Sequence, residues 1–181
     1  MKNHKILVSA VFTIAALVFA QEATAQQMYV TIRGAKQGPF KGETAGGKIP
    51  VLAFVSETDS PRDPASGLPT GKRMHKPIVI TKEWDAASPQ LYNALTQNEN
   101  LPSVVIEFYK TNSNGVGEAF EVITLTNASV SSFKQYSSMP SGAALGEREK
   151  WVEEVGLTFQ KIEIENKQSK IVAADTWEAT R

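Results

Sequence analysis

The sequence contains no cysteine, so disulfide cross-links and thiolate metal sites are both excluded. It has two histidines, His4 and His75, and His4 lies in an N-terminal segment expected to be removed. A lone His75 cannot build a histidine zinc site, and neither H-E-x-x-H nor C-x-x-C occurs. G-x-S-x-G, the P-loop and G-x-G-x-x-G are absent as well, which removes support for hydrolase, NTPase and dinucleotide-binding readings. There is no excess of either charge: 19 basic side chains face 19 acidic ones, so the chain carries no electrostatic footprint for nucleic acid or an anionic membrane. Long apolar runs are also scarce. The 15 residues Ile6–Ala20 form the only one, too short for a comfortable permanent span, and stable membrane insertion is not expected.

That single run sits in a secretory pattern. Lys2, His4 and Lys5 give a positive start, Ile6–Ala20 an uncharged apolar stretch, and Ala23-Thr24-Ala25 a small-residue cleavage site. The expected cut falls between Ala25 and Gln26, dividing the chain into residues 1–25 as signal peptide and 26–181 as one domain of 156 residues. The mature part then holds 17 basic and 18 acidic residues. For an exported protein without disulfides, stability has to come from packing or from oligomerisation.

The mature segment is patterned for strands. Met28, Val30 and Ile32 alternate with Tyr29, Thr31 and Arg33, and Gly34 closes the run. Ile49–Thr58 reads as one strand loaded on both faces, with Leu52 and Phe54 opposite Val51 and Val55. A polar run over Arg73–Lys82 puts Ile78 and Ile80 on one face. The single helix is expected to open at Ser88 as N-cap with Pro89 in its first turn, its stripe being Leu91, Ala94 and Leu95. Val104–Tyr109, the turn Asn112–Gly117 and Phe120–Thr126 form a hairpin, followed by a further polar strand over Asn127–Tyr136. Val155, Leu157 and Phe159 share one parity and Ile162 and Ile164 the other, which suggests one long strand with a bulge near Gln160. The tail from Asn166 reads as polar. About seven antiparallel strands with one helix argue for a closed or two-sheet barrel.

Between the second and third strands lies a segment that fits neither strand nor helix: Ser60, Pro61, Arg62, Asp63, Pro64, Ala65, Ser66, Gly67, Leu68, Pro69, Thr70 and Gly71. Loops of this length without secondary structure are usually functional. Asp63 and Asp59 precede or approach prolines and read as turn-initiating caps rather than as a calcium loop or an acid/base pair. Glu83 and Asp85 flank Trp84. Beside Lys82 and Arg73 they read as a solvated charge pair, or one at a subunit contact. His75 reads as a hydrogen-bonded structural histidine.

The wording from Arg73 onward is more specific than its pattern. Arg73, His75, Lys76-Pro77, Thr81-Lys82-Glu83, Asp85 and Ser88-Pro89 resemble the haemolysin-coregulated protein (Hcp) family, tube protein of the type VI secretion system. Thr124–Val130, Glu153-Glu154-Val155, Phe159–Glu163, Ala174-Asp175 and Trp177 extend that resemblance along nearly all of the mature chain. The resemblance implies a mainly β fold: a tight antiparallel barrel of two packed sheets, one short flanking helix and a long projecting loop. It implies a structural subunit rather than an enzyme, with no cofactor. Its partners would be itself, in stacked hexameric rings, and the sheath, spike and small effector proteins. Residues 60–71 would contact the next ring. The alternative is a secreted or periplasmic Hcp-like binding protein acting apart from the sheath. A secretory signal departs from the family habit of cytoplasmic assembly, so Met28 is the competing functional start.

Overall fold

The computed structural model describes residues 27–44, 46–112, 114–138 and 150–177. The expected leader and its Ala25/Gln26 junction lie outside these residues. Twelve strands and one helix make up the described chain. β1 (Gln27–Gly34) pairs with β8 (Leu101–Thr111), and β8 with β9 (Gly117–Ser138). β9 then pairs with β10 (Lys150–Thr158), and β10 with β7 (Ile78–Glu83). All of these ladders are antiparallel.

The two ends of this sheet are joined by one short segment. β3 (Ile49–Val51) pairs with β1 on one side, and β4 (Ala53–Val55) pairs with β7 on the other. Leu52 is the step between them, its N–H donating to the Thr81 carbonyl at 2.7 Å. The single both-faced strand expected over Ile49–Thr58 is therefore broken. Ile49 and Val51 are buried, but Leu52, Ala53 and Val55 are exposed. The alternation fails because the chain changes partner strand at Leu52.

The strands expected over Phe120–Thr126 and Asn127–Tyr136 are one element of 22 residues. Its first half pairs with β8 and with β11 (Lys161–Asn166), its second with β10. Asn127 makes the turn between sheets with φ of 48°, a left-handed conformation asparagine tolerates. Opposite it, β10 and β11 separate at Phe159-Gln160, where the Gln160 N–H donates to the Thr126 carbonyl at 3.1 Å. The expected long strand is thus two strands, and the ladder's register shift falls earlier, between Gly156 and Leu157. The tail contains a strand the polar reading missed, β12 (Ile171–Thr176), paired with β11.

The helix α1 (Ser88–Thr96) packs against β9, and its buried Leu91 and Ala94 join Ile80, Leu125 and Val155 in one apolar core. It stops where Asn98 turns left-handed, at φ of 46°. Ser88 does not cap it. The Ala87 N–H is instead held by Asp85 Oδ1 at 2.8 Å, because the Ser88 hydroxyl is drawn into a buried charge cluster.

Glu99, just past the helix, fastens the β1–β2 turn (β2, Gly38–Pro39) to it. Its carboxylate accepts the backbone N–H groups of Lys36 and Gln37 at 2.7 and 2.8 Å, and the Gln37 amide at 2.7 Å. A Cβ at Gly34 would lie 2.5 Å from Glu99 Oε1, so a larger residue there would displace the carboxylate. Burial pushes this carboxyl up, but the Gln37 backbone and side-chain N–H groups and that of Lys36 outweigh it and hold the group below its ordinary range. Glu99→Gln puts an amide NH2 against donors and should cost about 1–3 kcal/mol in urea unfolding. The wild type should lose this margin as pH falls below the ordinary carboxylate range, while the variant should not.

Candidate assembly surface

Residues 60–71 are not structureless. They form the outer end of a ribbon whose neck is a two-stranded sheet, β5 (Thr58–Asp59) against β6 (Met74–His75). Among the described residues this sheet shares no ladder with the barrel. Farther out, Arg62 bridges Pro69, and the Thr70 N–H donates to the Pro61 carbonyl at 3.0 Å. Asp63 closes the tip, its Oδ1 accepting the N–H groups of Ala65 and Ser66 at 2.8 and 2.7 Å. The Ser66 N–H above all, then that of Ala65, holds the Asp63 carboxyl below its ordinary range. Gly67 supplies the left-handed corner, with φ of 71°. Asp63 is the turn cap the sequence predicts. Asp59 is not: its carboxylate lies 3.2 Å from Lys76 Nζ. The ribbon is braced by its own hydrogen bonds, and nearly all of residues 60–72 are exposed.

At the root, two motif side chains tie the ribbon to β12. Arg73 binds Asp175 through two nitrogens and the Thr176 carbonyl at 3.0 Å. His75 Nε2 lies 2.8 Å from Asp175, and its Nδ1 lies 3.0 Å from Thr58 Oγ1. The imidazole packs against Phe159 and Trp177, with ring centroids at 5.4 and 5.8 Å. Arg73 above all, with His75, holds the Asp175 carboxyl down to about 2. Thr58, His75 and Asp175 are ordered like a hydroxyl–imidazole–carboxylate relay. Asp175 is shared with Arg73, so the same contacts also join the ribbon root to β12. His75 is hydrogen-bonded, as the sequence reading expects.

Lys82, Asp85 and Ser88 converge elsewhere, and the solvated or subunit-contact pairing expected of Asp85 beside Lys82 is corrected. Lys82 is fully buried, with Nζ at 2.8 Å from both Glu153 Oε1 and Asp85 Oδ1. It also donates to the Glu83 carbonyl at 2.7 Å. The Ser88 hydroxyl donates to Glu153 at 2.9 Å and accepts the Asp85 N–H at 3.0 Å. Strand parity carries the reason: Lys82 follows Ile78 and Ile80 on the inward face of β7, and Glu153 precedes Val155 and Leu157 on that of β10. Glu83, on the outward face, pairs at the surface with Lys150 at 2.6 Å. Thr81 faces outward on β7, Pro77 is exposed between β6 and β7, and Pro89 is exposed in the first helical turn.

The motif thus builds two joints, one rooting the ribbon and one locking the helix to the barrel. Sequence comparison agrees with the fold. Residues 29–165 match the family described as "Type VI secretion system effector, Hcp". This chain belongs to the Hcp family. It is 35% identical over 165 residues to the "Major exported protein" of Pseudomonas aeruginosa, covering 82% of this chain and 94% of that one. Among solved structures, Hcp1 of E. coli EAEC 042 superposes with a TM-score of 0.72 at 29% identity, over 84% of this chain and 99% of its own. Hcp3, a secreted protein of P. aeruginosa, gives 0.69 at 28% identity over 86% and 100%. The Hcp fold is therefore mainly β and antiparallel, with one helix, as the resemblance implied.

Proposed function

We propose that this Hcp chain is a structural subunit of a type VI secretion tube. Six copies form a ring, rings stack through the ribbon at residues 60–71, and the tube is expelled with its spike, carrying small effector proteins in its lumen. Its partners are other copies of itself, the sheath, the spike and those effectors, and its role is mechanical rather than catalytic. The observation that supports this reading is the ribbon itself: a segment braced by its own hydrogen bonds, rooted in the barrel by Arg73 and His75, and offered to solvent. A pre-ordered exposed ribbon suits a contact with another molecule, since little ordering entropy remains to oppose binding. Purified mature protein should elute at a hexamer's mass and appear as rings in negative stain. A monodisperse monomer at high micromolar concentration would overturn the proposal.

The pattern over residues 1–25 favours a second reading of where this happens: export by the general route, cleavage between Ala25 and Gln26, and action outside the cell or in the periplasm, apart from a sheath. Six retained apolar leaders per ring would expose sticky surface on every subunit, so the cleaved form is the ring-competent one. Intact mass from the native host separates the readings. A chain beginning at Gln26 supports export, and one beginning at Met28 in the cytoplasm refutes the leader.

A further inference from the structure

We propose that the aromatic cleft around Trp84 is the seat for the ribbon of a second copy in the neighbouring ring. This rests on the stacking reading above and names the surface the ribbon meets. The topology places the two correctly. β7 starts beside the ribbon root at His75 and ends at Glu83, next to Trp84. β10 runs the other way, from Trp151 to Thr158, with Phe159 at the root. Root and cleft therefore lie at opposite ends of the same strand pair, about 20 Å apart for six residues of strand. A head-to-tail contact that propagates needs its two patches so separated.

The cleft has the character of an interface. Trp84 and Trp151 lie with ring centroids 5.5 Å apart and their planes tilted by 43°, while staying 44% and 55% exposed. The Trp84 indole N–H is anchored to the Val152 carbonyl at 3.0 Å, so its ring is held out rather than free to fold inward. On one side it bounds a hollow of about 340 Å³ closed by Tyr92 and Phe133, and on the other one of about 260 Å³ edged by Glu43 and Leu52. Asp85 lines both hollows. Its side chain is only 7% exposed, and among the described residues its buried Oδ2 has no hydrogen-bond partner. Such an orphan acceptor costs free energy unless something donates to it.

The ribbon carries the complement. Leu68 is 65% exposed at the tip. Among the described residues the Arg62 guanidinium beside it donates to the Gly67 carbonyl, at 3.3 Å, and neither Arg62 nor Lys72 has an ion-pair partner. Glu43, at the cleft edge, likewise has none. An apolar knob with an adjacent guanidinium fits an aromatic slot with surplus carboxylate, by burial, cation–π contact and charge pairing.

The absence of native cysteine makes a clean test. Protein carrying both Leu68→Cys and Tyr92→Cys, oxidised after stacking is verified by electron microscopy, should give a ladder of linked chains, and each single variant only unlinked chains. Both positions are exposed, so neither change threatens the fold. Arg62→Glu should raise the concentration needed for stacking by about tenfold or more, an effect that added salt reduces. Verified stacks without the ladder, or Leu68→Cys linking ribbon to ribbon when alone, overturn the cleft while leaving stacking intact. Protein lacking the ribbon that still stacks overturns the stacking reading itself, and this inference with it.

Discussion

Glu153→Ala should cost about 3–5 kcal/mol of stability, a larger effect than any apolar truncation of similar size on the barrel surface. The substitution leaves the Lys82 ammonium at zero exposure with one carboxylate partner instead of two, and strips the Ser88 hydroxyl of its acceptor. Gln135, which donates to Glu153 Oε2 at 3.0 Å, loses its partner as well. Buried ion clusters are costly to break but not always costly to replace. Lys82→Met combined with Glu153→Leu should therefore be less destabilising than the sum of the single changes. The measurement is urea unfolding at one fixed protein concentration, because assembly adds to apparent stability by mass action. A cost below about 1 kcal/mol for Glu153→Ala would show that the cluster is wet and that its geometry is not what joins helix to barrel.

That cluster also marks where sequence reading succeeded and where it stopped. The motif picked out Lys82, Asp85 and Ser88, but treated the charges as solvated. The information needed was the parity of β7 and β10, which puts Lys82 and Glu153 inward with the isoleucines and valines; a strongly polar side chain masked it. Alternation gave β1, the β8–β9 hairpin and the inward face of β7. It failed at Leu52 and at Asn127, where the chain leaves one partner strand for another, since nothing local encodes a change of sheet. β12 was missed for a related reason. Its side chains are mostly exposed, and it is held by hydrogen bonds to β11 rather than by a buried face. Glu99 was invisible, because a carboxylate that receives backbone N–H groups from residues more than sixty positions away leaves no spacing to read.

Replacing residues 60–71 with a short Gly-Ser linker should abolish stacked tubes while single rings persist. The ribbon's bonds are internal, and its neck is a separate two-stranded sheet, so the barrel keeps its ladders and the β circular dichroism spectrum should stay the same. Changing loop length costs little, about 0.6 kcal/mol for each doubling. A variant that unfolds would place the segment in the core, and one that still forms tubes would remove the stacking role. Asp175→Asn separates the ribbon's presence from its aim. The ribbon remains, but Arg73 and His75 lose the carboxylate that fixes its root, so tubes should be fewer and shorter at neutral pH without disappearing. Acid should do the same to the wild type. Asp175 is held down to about 2 from an ordinary 3.8, so its contribution is complete above about pH 5 and is lost as pH falls through about 2. Discounted for partial solvent access, that contribution is about 1–2 kcal/mol. In the asparagine variant it should already be missing at neutral pH, leaving stability flatter across this acid window. If the variant stacks as well as the wild type and keeps the same acid slope, the root joint does not set the ribbon's direction.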